Sequence, residues 1–315
     1  MEQKKKVLVL SGGFSEEASV SRVSASEISK ALSGSGYHTI LIDPADYDSY
    51  ADLALKIKAM QPYIVFNGLH GRIGEDGRIQ SLFELDKIPF TGSDSRSSAL
   101  AMDKHLSGCL ASQINLKIPT RIMLDSIEKI SLFTYKCEKF DFPLVVKPND
   151  SGSSVGISII ANQSELEPAL TEAFRFSSKV LIEKFIDGRE LTVTILDGKA
   201  LPIVEIKPQQ GWYDYANKYT QGKTIYEAPA KLDDKIRKEI QLQAESIFRL
   251  LGCTVYGRVD FRFDGNDLYF LEVNTLPGMT PLSLTPMAAK AAGISFGELL
   301  EEIIRISLEK NNKTS

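Results

Sequence analysis

Tyr256-Gly257-Arg258-Val259-Asp260-Phe261-Arg262-Phe263-Asp264-Gly265-Asn266-Asp267-Leu268-Tyr269-Phe270-Leu271-Glu272-Val273-Asn274 reads as a β-hairpin. Val259–Phe263 alternates apolar and charged residues, as a half-buried strand does. Leu268–Leu271 is apolar, and Glu272 and Asn274 follow two apart, on one face. Asp264-Gly265-Asn266-Asp267 supplies the turn. Parity then decides the geometry. A three-residue loop over 265–267 pairs position 260 with 272, so that Asp260, Glu272 and Asn274 converge on one face. A two-residue loop pairs 260 with 271 and sends Glu272 to the opposite face. Convergence therefore requires an odd loop or a bulge. Three oxygen donors on one rigid face suit Mg2+, which also takes phosphate oxygens and water. The same residues fit the polar outer face of an ordinary hairpin, but Glu272, ending an apolar strand, favours the metal.

Working outward, the first 95 or so residues alternate strand and helix. Val7–Leu10, Thr39–Asp43 and Tyr63–Asn67 are the expected strands. Helices are expected from Ser15 to Leu32 and ending over Lys56–Met60. That alternation predicts an α/β unit with a parallel sheet, whose ligands gather at the carboxyl ends of the strands. Gly12-Gly13 and His70 fall at such ends. His70 also fits a structural role, and Glu17, near a helix start, fits simple complementation of the helix dipole.

In the middle of the chain, strands Leu144–Lys147 and Val180–Glu183 enclose Asp150-Ser151-Gly152-Ser153-Ser154-Val155-Gly156. Lys147 places an ammonium at the end of an apolar strand. The loop after it offers backbone N–H groups and hydroxyls to phosphates, or is a plain hairpin turn. There is no GxxxxGK[ST] and no GxGxxG after a strand, which excludes a P-loop and a dinucleotide fingerprint. Val180–Ile186 reads as an interdomain hinge whose backbone can meet a planar base. The polar segment Gln209–Lys223, with Tyr213, Tyr215, Lys218 and Tyr219, reads as a lid. A helix follows over Asp233–Leu251, and Ser295-Phe296-Gly297-Glu298 is a capping box for a last one.

The chain of 315 residues is too long for one ordinary core, and the expected domains are 1–96, 97–184 and 185–315. Net charge is −4 with no basic block, so nucleic acid is not expected as a partner. No apolar run approaches the roughly 20 residues that span a bilayer, so no membrane insertion is expected. Cys109, Cys137 and Cys253 are odd in number and widely spaced, as in a reducing cytoplasm.

Six ordered blocks together resemble the D-alanine–D-alanine ligases of the ATP-grasp superfamily. They are Gly12-Gly13-Phe14-Ser15-Glu16-Glu17 with Val20-Ser21, Leu69-His70-Gly71 with Gly74-Glu75-Asp76-Gly77, Ala101-Met102-Asp103-Lys104, Lys147-Pro148 with Gly152–Gly156, Tyr213-Asp214-Tyr215 with Lys218-Tyr219, and Gly257–Asp260 with Glu272–Thr275 and Pro277–Thr280. The resemblance implies an ATP-grasp fold, an N-terminal parallel-sheet α/β domain with two α+β domains clasping ATP. It implies ATP as co-substrate, two Mg2+ (or Mn2+) ions, D-alanine as substrate, a homodimer, and a role in peptidoglycan synthesis. It assigns Lys104 and Lys147 to the ATP phosphates, Glu183, Lys184, Ile186 and Glu190 to adenine and ribose, and Ser153, Ser154, Phe185 and Lys218 to ATP. Asp260, Glu272 and Asn274 become the metal ligands. Glu17 binds the ammonium of the first D-alanine with His70 near it, Arg258 and Gly278 stabilise the oxyanion, Ser283 and Leu284 meet the second D-alanine, and Asn274 also touches substrate. Ser153 and Tyr219 bridge the lid to the site.

Two departures accompany the match. Ala18 and Ser19 stand where the family usually has a basic and an acidic residue, and Gly108 where it often has another lysine. Within the superfamily the alternatives are a D-Ala–D-Ser or D-Ala–D-lactate ligase, or a ligase for another amino acid; Tyr219 favours the dipeptide-forming type. A nucleotide-binding regulator without turnover is the alternative outside it.

Overall fold

Lys6–Leu10 (β1) is buried from its second residue to its last, so both of its faces need cover. The computed structural model, which describes residues 4–126, 141–209 and 223–314, supplies it. His38–Ile42 (β2) and Ile64–Phe66 (β3) flank β1 in a parallel sheet of order β2-β1-β3. Val7 and Val9 face Ile28 and Leu32 of Ala18–Gly34 (α1) together with Leu299, Leu300 and Ile303 of the chain's last helix. Leu8 and Leu10 face Leu53 and Ile57 of Tyr50–Met60 (α2) and Ile79 and Phe83 of Arg78–Leu85 (α3). The two-residue period of the strand thus divides two cores. The first helix starts three residues later than expected, because Ser15–Glu17 form a turn of their own.

Ser95–Met102 (α4) and Lys104–Gln113 (α5) lead into an antiparallel sheet. Its strands are Arg121–Leu124 (β4), Leu144–Pro148 (β5), Ser158–Ile160 (β6) and Val180–Lys184 (β7), in the order β4-β7-β5-β6. Leu166–Phe174 (α6) covers one face with Leu166, Ala169, Leu170 and Ala173. The expected hinge is therefore a strand followed by a link over 185–188 into the next sheet.

That third sheet is antiparallel too. It comprises Arg189–Leu196 (β8), Lys199–Ala200 (β9), Val204–Pro208 (β10), Thr224–Glu227 (β11), Tyr256–Phe263 (β12) and Leu268–Asn274 (β13). The order is β11-β10-β8-β12-β13, with β9 beside β8. Asp234–Leu250 (α7) lays Ile240, Ala244, Ile247 and Phe248 on it, in one cluster with Leu191, Val193, Val259 and Phe261. Each such fully buried side chain contributes about 1.5–3 kcal/mol. Leu284–Ala291 (α8) and Phe296–Thr314 (α9) close the chain. The capping box forms as read: Ser295 N–H donates to Glu298 Oε2 at 2.8 Å, and Glu298 N–H donates to Ser295 Oγ at 3.3 Å. Among the described residues no helix is long and apolar enough to cross a membrane.

The hairpin satisfies the parity condition by a bulge. Phe263 pairs with Leu268, Arg262 with Tyr269 and Phe261 with Phe270, around a loop of four residues. The register then shifts at Leu271, so that Asp260 pairs with Glu272 and Arg258 with Asn274. An even loop alone would have put Glu272 on the opposite face; the extra residue turns it back.

Candidate active site

Asp260 and Glu272 face an open crevice between the two antiparallel sheets. Lys104, Lys147, Ser154 and Arg258 line it with them, and the link from β7 to β8 closes one end with Glu183, Lys184, Phe185, Ile186 and Glu190. Every carboxylate named here has a cation beside it. Arg258 donates through Nε and Nη2 to the two oxygens of Asp260, both at 2.8 Å. Lys104 Nζ lies 3.0 Å from Glu272 Oε2, and Lys147 Nζ lies 2.6 Å from Glu183 Oε2. Arg262, on the next outward position of β12, donates to Glu190 Oε2 at 2.8 Å and stacks near Phe185. Thr192 Oγ1 also donates to Asp260 Oδ1, at 2.6 Å.

Donor chemistry tests whether the hairpin suits a divalent ion. Asp260 and Glu272 oppose each other on the ladder and open on the same crevice, as hard oxygen donors must. Asn274 sits two pairs further along, opposite Arg258, and its Oδ1 accepts from Leu276 N–H at 2.8 Å. The two carboxylates fit a Mg2+-type ion; the amide is oriented by its own chain turn.

Lys104 is the most heavily constrained cation. Its side chain is 7% exposed, and Nζ also donates to Ser151 O at 2.7 Å. Burial works against the ammonium, but Glu272 beside it, with Glu75 and Asp150 further away, outweighs burial and holds its pKa above the usual lysine value. The start of α5 is fixed by Asp103, which accepts from Leu106 N–H, and by Asn149, which accepts from His105 N–H through Oδ1 and from Lys104 N–H through its carbonyl. The glycine loop 150–156 joins antiparallel neighbours β5 and β6, so the hairpin-turn reading is right as geometry. Ser153 and Ser154 both sit in the left-handed region, at φ 49° and 59°. Side chains in that conformation cost energy and mark a loop shaped for something beyond turning the chain.

Beyond the loop lies a second, smaller pocket. Glu17, His70 and Glu75 are all buried, with one ligand atom each lying within 4.8 Å of the others. Ser24 holds His70 Nε2 at 3.0 Å, and Gly71 N–H donates to Glu75 Oε1 at 3.1 Å. Glu17 stands at the N-cap of α1 and makes no side-chain capping bond there. Gly12 makes the turn that feeds it; at φ 76° a Cβ there would meet Asp43 Oδ2 at 2.0 Å. Two buried carboxylates and an imidazole suit an ammonium group. A Cβ at Gly152 would lie 2.9 Å from Glu17 Oε1, so the glycine loop rests directly on this pocket. Glu75 was legible only as part of a quoted motif. Ser19 faces solvent, so its departure from the family pattern strips nothing from the pocket.

Gly278, Ser283 and Leu284 follow the hairpin. Ser283 Oγ accepts from Thr280 N–H at 3.1 Å, and a Cβ at Gly278 would lie 3.2 Å from it. The Leu284 side chain is buried with Val204, Ile206 and Ala288. Tyr213, Tyr215, Lys218 and Tyr219 lie outside the described residues.

Residues 49–93 match the family described as D-ala D-ala ligase N-terminus, and residues 116–305 match D-ala D-ala ligase C-terminus. The chain belongs to the D-alanine–D-alanine ligase family. It is 43% identical over 303 residues to the D-alanine–D-alanine ligase of Syntrophotalea carbinolica, covering 96% of each chain. Among solved structures it is similar to the D-alanine–D-alanine ligase of Bacillus anthracis, with a TM-score of 0.87, 36% identity, and 99% and 100% of the two chains covered. The same enzyme complexed with ATP gives a TM-score of 0.85 at 34% identity and the same coverage. The VanG D-Ala:D-Ser ligase of Enterococcus faecalis gives 0.81 at 30% identity, covering 97% and 100%. This family member is a ligase with the mixed α/β architecture expected of it: one parallel sheet and two antiparallel ones around the crevice.

Proposed function

We infer that the chain joins two D-alanine molecules into D-alanyl-D-alanine, converting ATP to ADP and phosphate by way of a D-alanyl phosphate, and so serves peptidoglycan precursor synthesis in the cytoplasm. One observation carries the reading. The buried Glu17–His70–Glu75 pocket and the crevice of Asp260 and Glu272 are neighbours across the glycine loop, whose Gly152 rests against Glu17 and whose Ser151 O accepts from the same Lys104 Nζ that pairs with Glu272. An amino acid held by its ammonium in the first pocket can therefore direct its carboxylate at a phosphate in the second.

Glu17, with His70 beside it, holds the first D-alanine. Glu183, Lys184, Phe185, Ile186 and Glu190 meet adenine and ribose, while Lys104, Lys147, Ser153, Ser154 and Lys218 meet the phosphates. Asp260, Glu272 and Asn274 would hold Mg2+ (or Mn2+), two ions in all, which neutralise charge on the phosphates. A carboxylate oxygen of the first D-alanine attacks the γ-phosphorus, and the bond to the β–γ bridging oxygen breaks as ADP leaves. The amine of the second D-alanine, near Ser283 and Leu284, then attacks the acyl carbon and gives up a proton as phosphate departs. Arg258 and the Gly278 N–H stabilise the oxyanion between those events. The resemblance gives Tyr219 and Ser153 the task of keeping water from the acyl phosphate.

The ion pairs of the crevice acquire a meaning in this scheme. Lys104–Glu272, Lys147–Glu183 and Arg258–Asp260 keep each buried charge neutralised before substrate arrives. Nucleotide entry exchanges partners, cations turning to phosphate or oxyanion and carboxylates to metal. The three-way division at 1–96, 97–184 and 185–315 and a homodimer complete the proposal; α9 packs on the N-terminal sheet although it ends the chain. The test is phosphate release from ATP with Mg2+ between pH 7 and 9. Release is expected to depend on D-alanine, and its absence contradicts the reading. Adding D-serine or D-lactate as second substrate separates the ligase subtypes.

A further inference from the structure

Arg121 opens β4 and points its guanidinium into the space between that strand and α5. Its side chain is 6% exposed. Nη1 donates to Lys104 O at 2.8 Å, and Nε lies 3.6 Å from Glu183 Oε1. The other oxygen of Glu183 holds Lys147 Nζ at 2.6 Å. Gly108 faces the guanidinium from α5: a Cβ there would stand 2.5 Å from both Nη1 and Nη2. The missing side chain at 108 is thus what admits Arg121. Arg121 Nε, Arg121 Nη2 and Glu183 Oε1 are buried and make no hydrogen bond among the described residues. Arg121 does not line the crevice, whereas Glu183 and Lys147 do.

A buried carboxylate between two cations behaves differently from one beside a single cation. With Lys147 alone, turning the ammonium toward a phosphate would strand Glu183 as an unpaired buried charge, and nucleotide binding would bear that cost. A guanidinium cannot be deprotonated and stays charged throughout. We propose that Arg121, seated on Gly108, is a positioning residue for the nucleotide site: it stays with Glu183 as counter-ion and so frees Lys147 to exchange that carboxylate for phosphate. Its carbonyl contact also fixes the first turn of α5, from which Lys104 projects. The glycine at 108 and the arginine at 121 act as one unit, delivering from a strand a charge that a long cation at 108 would deliver from the helix. The proposal rests on the nucleotide-site reading given above.

Calorimetric titration with the non-hydrolysable analogue β,γ-methylene-ATP in the presence of Mg2+ tests it, beside steady-state KM values for ATP and D-alanine. Arg121→Ala is expected to raise the analogue's Kd at least tenfold, with the KM for the first D-alanine within about twofold of wild type. Gly108→Ala, which unseats the guanidinium, is expected to shift Kd in the same direction. Gly108→Lys combined with Arg121→Ala is expected to bring Kd back to within about threefold. An unchanged Kd in Arg121→Ala, an equal loss of both substrates, or no recovery in the double variant overturns the proposal. Should Arg121→Ala not fold, Gly108→Ala carries the same decision, and an unchanged Kd there overturns it. If wild-type protein binds no analogue, the nucleotide-site reading itself falls; if wild type binds and Arg121→Ala binds equally, only the role of Arg121 does.

Discussion

The two pockets on either side of the glycine loop are built on opposite electrostatic plans. Beside Glu17, neutral groups donate to or accept from the other two members, with Ser24 on the His70 imidazole and the Gly71 N–H on Glu75. In the crevice, Asp260, Glu272 and Glu183 are each steadied by a full positive charge from Arg258, Lys104 or Lys147. On the proposed function, the first pocket receives an amino acid's ammonium. The crevice pairs its charges within itself, and on the proposed function it takes up the nucleotide's polyanion by exchanging those partners. A buried charge is costly unless paired, so the second plan keeps the empty site stable without blocking it.

Removing one partner of an exchanging pair should do the most damage. Glu272→Gln is expected to lower kcat at least about a hundredfold, since a metal carboxylate and its bonds to charged groups are lost together. It leaves the Lys104 ammonium with Ser151 O, and so should also lower stability by about 1–3 kcal/mol, read from urea midpoints. Full activity in that variant would remove Glu272 from the metal site. Next, Glu17→Gln should act on the other plan alone. The KM for the first D-alanine is expected to rise by about ten- to a hundredfold, as loss of a charged hydrogen bond of roughly 1.5–3 kcal/mol implies, with the KM for ATP within about threefold. Equal rises in both would show that the pockets are not separable.

The smallest effect marks the baseline outside both pockets. Asp94 caps α4, accepting from Ser97 N–H at 2.8 Å and from Ser97 Oγ. Burial pushes its carboxyl up, but those bonds, with Lys310 and Arg96, outweigh burial and hold its pKa below the usual 3.8. A depressed folded pKa means stability that is present above the unfolded carboxylate value and is lost as pH falls through and below it. Asp94→Ala should therefore cost about 0.5–2 kcal/mol at pH 7, less at pH 3, and leave both KM values unchanged.

How far the sequence foretold these plans depends on whether a feature is local. The hairpin strands were readable to the residue, because alternation and a strong turn signal bound them, and parity required an odd loop or a bulge if Glu272 was to face Asp260; the structure uses the bulge. The parallel sheet was readable from its alternation with helices. Strand β8 was not anticipated, although it is the centre of the large sheet. Its Thr192 and Thr194 are buried polar residues satisfied by Asp260 and Thr285, partners far away in sequence, and its opening residues follow the link directly. Glu75 carried no role by itself, since only folding brings it to Glu17. The fit of Arg121 onto Gly108 joins a strand to a helix and has no signature in either segment.

The central claim is that a carboxylate is activated by phosphorylation, across the boundary between the two pockets. D-Alanine labelled with oxygen-18 in its carboxyl group, incubated with ATP, Mg2+ and the protein, tests it directly. Mass analysis of the released phosphate should find one labelled oxygen per phosphate, carried over when the acyl phosphate is opened by the second amine. Dipeptide formed alongside unlabelled phosphate would contradict the account.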